Sequence, residues 1–325
     1  LLDGLVGASS RNPVHNFSVL ELRLGGATIL SGYNTQVLTR ADGMVESYIP
    51  IDGALKEYFT IGKTALAHGA VPRASYANWE RRIILREGSY ALFIDTLEFR
   101  RSAQNAEVLL QWELGNLLRP VRIPVSQPVV TSVEDKLMVQ TWRGEVEAGQ
   151  RQAFFTPIGR MPNTESYAVA ENAAALFLPN PALAILGTYG STVADTAVVA
   201  HDHLFGTQVT QMGLEEVLLA SSKPVTIDWD LSSQQLVVTA TEDVVLELQL
   251  ESSEVMIDGE TVVLDQGDEG RSLLRLAAGT SSVEGARMNE EALGRTRSDL
   301  RALAQDARVK GREAQTALLA ESTTD

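Results

Sequence analysis

Apolar and polar residues alternate through Tyr76–Phe99, YANWERRIILREGSYALFIDTLEF, on either side of Glu87-Gly88. Ile83 and Leu85, then Tyr90, Leu92 and Ile94, recur at period two. Arg82 and Arg86 fall on the expected wet side, and Ser89 in the turn. This spacing predicts an antiparallel hairpin with one buried face, closed by the glycine. The same grammar opens at Phe17–Ile29, FSVLELRLGGATI, where Gly25-Gly26 marks a hairpin turn. Asp42-Gly43 and Asp52-Gly53 read as further turns, with Pro50 between them marking an edge or a loop. Val108–Leu114 reads as another strand, with Trp112 buried.

Three prolines in RPVRIPVSQP, residues 119–128, break any regular element and are expected to carry the chain from one sheet or subdomain to the next. Short strands separated by turn residues then follow. Residues 225–230, 235–241, 244–250 and 254–257 predict a meander of antiparallel strands ending at Asp258-Gly259. Strands spaced about ten residues apart with turns between them mark a sandwich or barrel. Helical periodicity appears only from Met288 to Ala320, where Leu293, Leu300, Leu303, Ala307, Ala314 and Leu318 form a narrow stripe. Gly294 and Gly311 weaken that helix. Its thin, alanine-rich face suits packing along a sheet, or linking to something beyond Asp325, better than a coiled coil.

The expected fold is therefore all-β, a large antiparallel β-sandwich with a C-terminal α-helix. Its parts are residues 1–125, a first sandwich part; 126–284, further antiparallel sheet of the same or a second β domain; and 285–325, the helix and a loose tail.

Composition narrows the partners. The 325 residues carry 27 Lys and Arg against 42 Asp and Glu, a net charge of −15, which disfavours a nucleic-acid surface. No apolar run approaches the roughly 20 residues needed to cross a bilayer. Acid is concentrated between Pro224 and Gly270, with twelve Asp or Glu and no Lys or Arg; the plain reading is a solvated sheet face. Arg73 to Arg122 carries eight Arg against six acids, and only there would an anion be welcome. With no cysteine, disulfides, thiolate zinc sites and Cys nucleophiles are excluded. The chain opens Leu1-Leu2-Asp3-Gly4 without Met or a leader, so a processed form or a piece of a longer polypeptide is expected.

Four histidines bound the candidate chemistry: His15, His68, His201 and His203. On a strand, His201 and His203 would share a face and hold a divalent metal, zinc or calcium, with a third ligand such as Asp195. The alternative is that VVAHDHLF turns a hairpin corner with both rings solvated. No HExxH, GxxxxGK or GxSxG pattern occurs. His15-Asn16 and Tyr33-Asn34 lie near the ends of the first predicted hairpin. A His or Tyr can take the proton α to a carboxylate if Asn or Arg neutralises the developing enolate, as polysaccharide β-elimination requires. Each also has a structural reading: Asn34 as turn former, Tyr33 as a half-buried strand residue, His15 as a loop histidine.

Trp79, Arg81-Arg82, the apolar strand, the glycine turn and YALFIDTLEF together resemble the central β-sandwich of heparinase II/III-type polysaccharide lyases. GYNTQVL, residues 32–38, resembles that family's His-Asn-Thr segment, with Tyr33 where the family usually has His. The likeness covers residues 15–115. It implies a lyase-type supersandwich and catalytic roles for His15, Tyr33 and Asn34. Trp79, Arg81, Arg82 and Arg86 would bind an acidic, uronic-acid polysaccharide, and the protein would be exported. The family's N-terminal helical toroid, which supplies much of the cleft, is not visible here, so lyase activity would need one supplied elsewhere. A reading from a different class is a non-catalytic assembly module that joins a neighbouring domain or chain through its sheet edges and C-terminal helix.

Overall fold

The computed structural model describes residues 21–24, 27–31, 35–44, 53–74, 76–115, 122–159, 164–267 and 270–322. Its first strands are β1 (Glu21–Leu24), β2 (Ala27–Ser31), β3 (Gln36–Ala41), β4 (Ala54–Ile61), β5 (Thr64–Ala74), β6 (Ala77–Arg86), β7 (Tyr90–Phe99), β8 (Ala103–Glu113), β9 (Val130–Glu134), β10 (Leu137–Val146), β11 (Arg151–Gly159) and β12 (Glu165–Ala170). There follow β13 (Ala173–Phe177), β14 (Pro181–Tyr189), β15 (Thr192–Ala200), β16 (His203–Gly213), β17 (Val217–Asp230), β18 (Gln235–Ala240), β19 (Val244–Leu248), β20 (Glu254–Ile257), β21 (Glu260–Val263), β22 (Asp265–Gln266), β23 (Ser272–Leu276) and β24 (Gly279–Glu284). A single helix, α1 (Glu290–Ser322), comes last. The fold is all-β with several antiparallel sheets, as the alternation predicts.

The chain divides into two compact units: residues 1–59, 65–166 and 309–325 form the first, and residues 60–64 and 167–308 the second. The proline-rich stretch near residue 125 lies inside the first unit. It leads from β8 to β9, which belong to the same four-stranded sheet, β3-β8-β10-β9, and on the way Ser126 bonds Phe155 of β11 in another sheet: its amide donates to the Phe155 carbonyl and its hydroxyl accepts from the Phe155 amide, both at 3.1 Å.

In the first unit this sheet faces a five-stranded one, β11-β7-β6-β5-β4. Val37, Val108, Leu110 and Trp112 from one sheet meet Trp79, Phe93, Leu97 and Phe154 from the other in one core. Phe93 and Trp112 join edge to face at 5.3 Å, a favoured aromatic geometry. The 76–99 hairpin forms as predicted: Arg86 pairs with Tyr90 across a turn in which Gly88 takes φ +68°, a conformation that side chains with a Cβ rarely adopt. Its wet side is not where alternation put it. Arg82 and Arg86 are buried, whereas Leu85 is 39% exposed. The residues packed on that face, Ile84, Leu92, Ile94 and Phe155, are themselves almost wholly buried. Around β7 and the middle of β6 both faces of the sheet are covered, so period two does not separate wet from dry there, while β4 at the edge stays exposed.

The second unit is built on a thirteen-stranded antiparallel sheet whose main path runs from β12 to β18, then β24, β20 and β21. The predicted four-strand meander does not form. β17 is 14 residues long, and its two halves take different partners: Leu219–Ser221 pair with β19, and Val225–Asp230 with β18. β18 and β20 then flank β24 instead of β19. Helix α1 is capped by Asn289, whose side-chain oxygen accepts hydrogen bonds from the amides of Glu291 and Ala292. Glu290 and Glu291 in its first turn suit the positive end of the helix dipole. Ala292 and Leu300 enter the second unit's core, with Leu293 and Leu303 packed beside them, so the predicted stripe packs within its own chain.

Candidate functional site

Strand β6 brings most of the sequence-predicted binding residues together and then separates them by its pleat. Trp79 and Arg81 point into the first unit's core; Arg82 and Arg86 lie on the opposite face. In the core, Arg81 Nε donates to Asp95 Oδ1 at 2.7 Å and Nη2 to Oδ2 at 3.0 Å, a bidentate fork. Trp79 Nε1 donates to the same Oδ1 at 2.7 Å, and the guanidinium lies 4.8 Å from the Trp79 ring and 5.4 Å from that of Phe93. With side-chain exposures of 1% and 0%, Arg81 and Asp95 form a sealed ion pair that a dissolved ligand does not reach. Arg81 Nη1 also donates to the Thr35 carbonyl at 3.2 Å, and the Thr35 hydroxyl accepts from the Glu113 amide. His15, Tyr33 and Asn34 lie outside the described residues.

The other face of β6 carries the more reactive grouping. Glu80 is approached by Lys56 from β4 at 2.5 Å, by His68 from β5 at 3.4 Å and by Arg82 from its own strand at 3.4 Å. Glu80 and Arg82 share a face because they are two residues apart on one strand. The Glu80 carboxyl is held well below the usual carboxylate range, first by His68 and then by Lys56 and Arg82, while partial burial pulls the other way. It is therefore an anion at any ordinary pH. Lys56 and Arg82 lie within ion-pair distance of Glu80, and Arg86 lies on the same face of β6, in a chain that is otherwise strongly acidic. Lys56 and Glu80 are its open members, with side-chain exposures of 45% and 34%; His68, Arg82 and Arg86 form the buried floor. A carboxylate beside an imidazole orients it for proton transfer, and the flanking cations suit a bound anion.

Sequence reading missed Lys56, His68 and Glu80 as a group. The only local signal was Glu80 and Arg82 at i and i+2; the rest depends on the alignment of three strands.

His201 and His203 do not share a strand face. His201 and Asp202 form the bend between β15 and β16, and only His203 lies in a strand, because the chain reverses at this point as the hairpin-corner reading has it. Only part of that reading holds, since His203 is buried with its Nδ1 2.8 Å from Asp202 Oδ1. The His201 carbonyl accepts from Nε and Nη2 of Arg297 at 3.1 and 3.0 Å. Burial, followed by the charges of Arg297 and Arg301, lowers the affinity of the His201 ring for a proton. Among the described residues no three His, Asp or Glu side chains are grouped to hold a metal ion.

Nearby, the β4–β5 turn is fixed by carboxylates of the second unit's own sheet. The Lys63 amide donates to Asp228 Oδ2 at 2.6 Å and Lys63 Nζ to Asp230 Oδ2 at 2.8 Å. Gly62 takes φ +51°, and a Cβ there would stand 2.3 Å from Asp228 Oδ2.

No protein-family model matches this chain, and no curated protein matches it at a significant level. Among the described residues no helix is long and apolar enough to cross a membrane.

Proposed function

We propose that this chain is a β-sandwich module that binds acidic, uronic-acid polysaccharide over the face formed by β4, β5 and β6. The observation that carries the reading is the gathering of Lys56, His68 and Arg82 around an ionised Glu80 on one sheet face, with Arg86 along the same strand. A glycan carboxylate meets Lys56 first, being its most exposed cation, and Arg82 adds positive charge from below. Where the module assists eliminative cleavage, His68 takes the proton α to the uronate carboxylate. Those electrons form the carbon–carbon double bond, and the glycosidic oxygen leaves as a hydroxyl, taking a proton from solvent. The resemblance to heparinase II/III-type lyases supports the same substrate class, and with it an exported location.

The test titrates the full chain with a uronic-acid oligosaccharide and with a neutral glucan of equal length, following heat and the absorbance of unsaturated uronate. The acidic ligand is expected to bind and the neutral one not. Lys56→Ala and Arg82→Ala should each weaken binding about tenfold, and Arg101→Ala, at a surface arginine elsewhere, should leave it unchanged. Equal binding of the neutral glucan, or no loss in the first two variants, overturns the proposal. Any rise in absorbance should disappear in His68→Asn while binding persists.

One observation favours the assembly reading. β4 ends the five-stranded sheet and exposes Leu55 and Tyr58 at 42% and 62%. Such an edge suits strand addition by a partner. The helix offers that reading less, because Leu300, Ala304 and Ala307 are already covered within the chain.

A further inference from the structure

A second concave surface lies in the acidic part of the second unit and does not depend on the polysaccharide reading. Strands β18, β24, β20 and β21 run side by side in that order, and pairing aligns Gln235 with Glu284, Glu284 with Met256, Met256 with Thr261 and Glu254 with Val263. Directly opposed residues, and residues two apart on a strand, share a face. Gln235, Glu284, Met256, Thr261, Glu254 and Val263 therefore all lie on one side of the sheet, while Val255 and Val283 fill the core on the other. This outer side is hollowed into a cavity of about 560 Å³, bordered by Ser233, Gln235, Glu254, Met256, Thr261 and Glu284.

Three properties of the hollow specify its ligand. Met256 on its border is 38% exposed, and beside it on the edge strand Val263, paired with Glu254, is 74% exposed, which gives an apolar strip next to the hollow. It is flanked by two carboxylates that have no ion-pair partner among the described residues, within a stretch of 47 residues that holds twelve acids and no base. It also adjoins a free sheet edge: among the described residues β21 pairs only with β20.

From these we propose that the surface takes an extended peptide segment carrying lysine or arginine. The segment adds to the edge of β21, and main-chain hydrogen bonds supply its register. A basic side chain lays its aliphatic stem over Val263 and Met256 and presents its charge to Glu254. Two strand spacings, roughly 10 Å, separate an added strand from β20, and extended lysine and glutamate side chains together cover about that distance. Glu284 stands one strand farther away and deepens the negative potential without touching the first cation. The two carboxylates therefore differ in weight: Glu254 pairs directly, and Glu284 attracts at longer range.

The test uses the full chain and a fluorescein-labelled Lys-Val-Lys-Val-Lys-Val peptide, read by anisotropy at low and at physiological salt. Binding is expected, with a loss of tenfold or more in Glu254→Gln, about threefold in Glu284→Gln, and no change in the charge-matched controls Glu87→Gln and Glu145→Gln, each made singly. A peptide N-methylated at its valines should bind more weakly, and the corresponding Glu-Val peptide should not bind. Equal loss in the controls would mean diffuse attraction to an acidic protein and would overturn the site. So would full binding in Glu254→Gln. Retained affinity of the N-methylated peptide, or displacement by spermine at matched charge concentration, would show that an amine and not a peptide is recognised. Thermal melts of the variants confirm that the surface changes leave the fold in place.

Discussion

In the first unit the core closes around tryptophan and phenylalanine, with Trp79, Phe93, Trp112 and Phe154 in one buried cluster. In the second, leucine, valine, isoleucine and alanine fill nearly the whole interior around Trp229. An indole ring brings an N–H that must be satisfied when buried, and each unit answers differently. Trp79 donates to Asp95, which in turn holds Arg81; Trp112 donates to Gln140, whose amide reaches the Ile123 carbonyl. Trp229 only donates to the Ala286 carbonyl. The aromatic core therefore carries a charged network at mid-strand. The aliphatic one keeps its buried acids, Asp228 and Asp230, at a strand end where the tip at Lys63 meets them.

The contrast breaks most sharply at Asp95. Replacing it with Ala strands a buried guanidinium and an indole N–H, so urea denaturation should show a loss of about 4 kcal/mol. Arg81→Met combined with Asp95→Leu should recover part of that loss, because no buried charge is left, while the Trp79 indole N–H that donated to Asp95 stays unpaired. A double variant as unstable as the single would show that the network does more than satisfy itself. Leu300→Ala, in the aliphatic interior, involves only cavity formation and lost apolar contact and should come next, at about 3 kcal/mol by the same measurement. Gly62→Ala forces a Cβ onto the Asp228 carboxylate in a left-handed conformation and should remove about 2 kcal/mol; Gly88→Ala, whose Cβ meets nothing within 4 Å, should remove less.

The smallest effect is a pH slope. Burial pushes the Asp230 carboxyl up, but Lys63 and the Ser233 amide outweigh it and hold the group at about 2, against 3.8 when unfolded. Stability from Asp230 is therefore complete above about pH 4 and is lost as pH falls toward 2. Melting temperatures of Asp230→Asn measured across that window should fall less steeply than those of the parent chain.

Much of the scaffold was legible in the residues. Alternation with Gly88 located the hairpin at 76–99, and Trp112 fell in the core as its neighbours required. Helix α1 follows from its own stripe and cap. What was not legible depends on partners distant in the chain. Arg82 and Arg86 read as wet because alternation assumes one open face, and around β6 and β7 both faces are largely covered. β17 is named in the sequence only from residue 225, since its halves take different partners and a Ser221-Ser222-Lys223-Pro224 stretch lies between them. The grouping of Lys56, His68 and Glu80 depends on three consecutive strands, β4 to β6, coming into register across short connections that the alternation did not mark.

Both units are discontinuous in sequence: the second borrows residues 60–64 from within the first, and the first recovers residues 309–325 only after the second has been traversed. During synthesis at roughly 5–20 residues per second, the nascent first unit waits on the order of ten seconds for the Arg312 and Gln315 side chains that bond Glu165 and Val129. Translation speed and chaperone holding thereby become determinants of yield, and a truncation before residue 309 would release a first unit that never receives its final contacts.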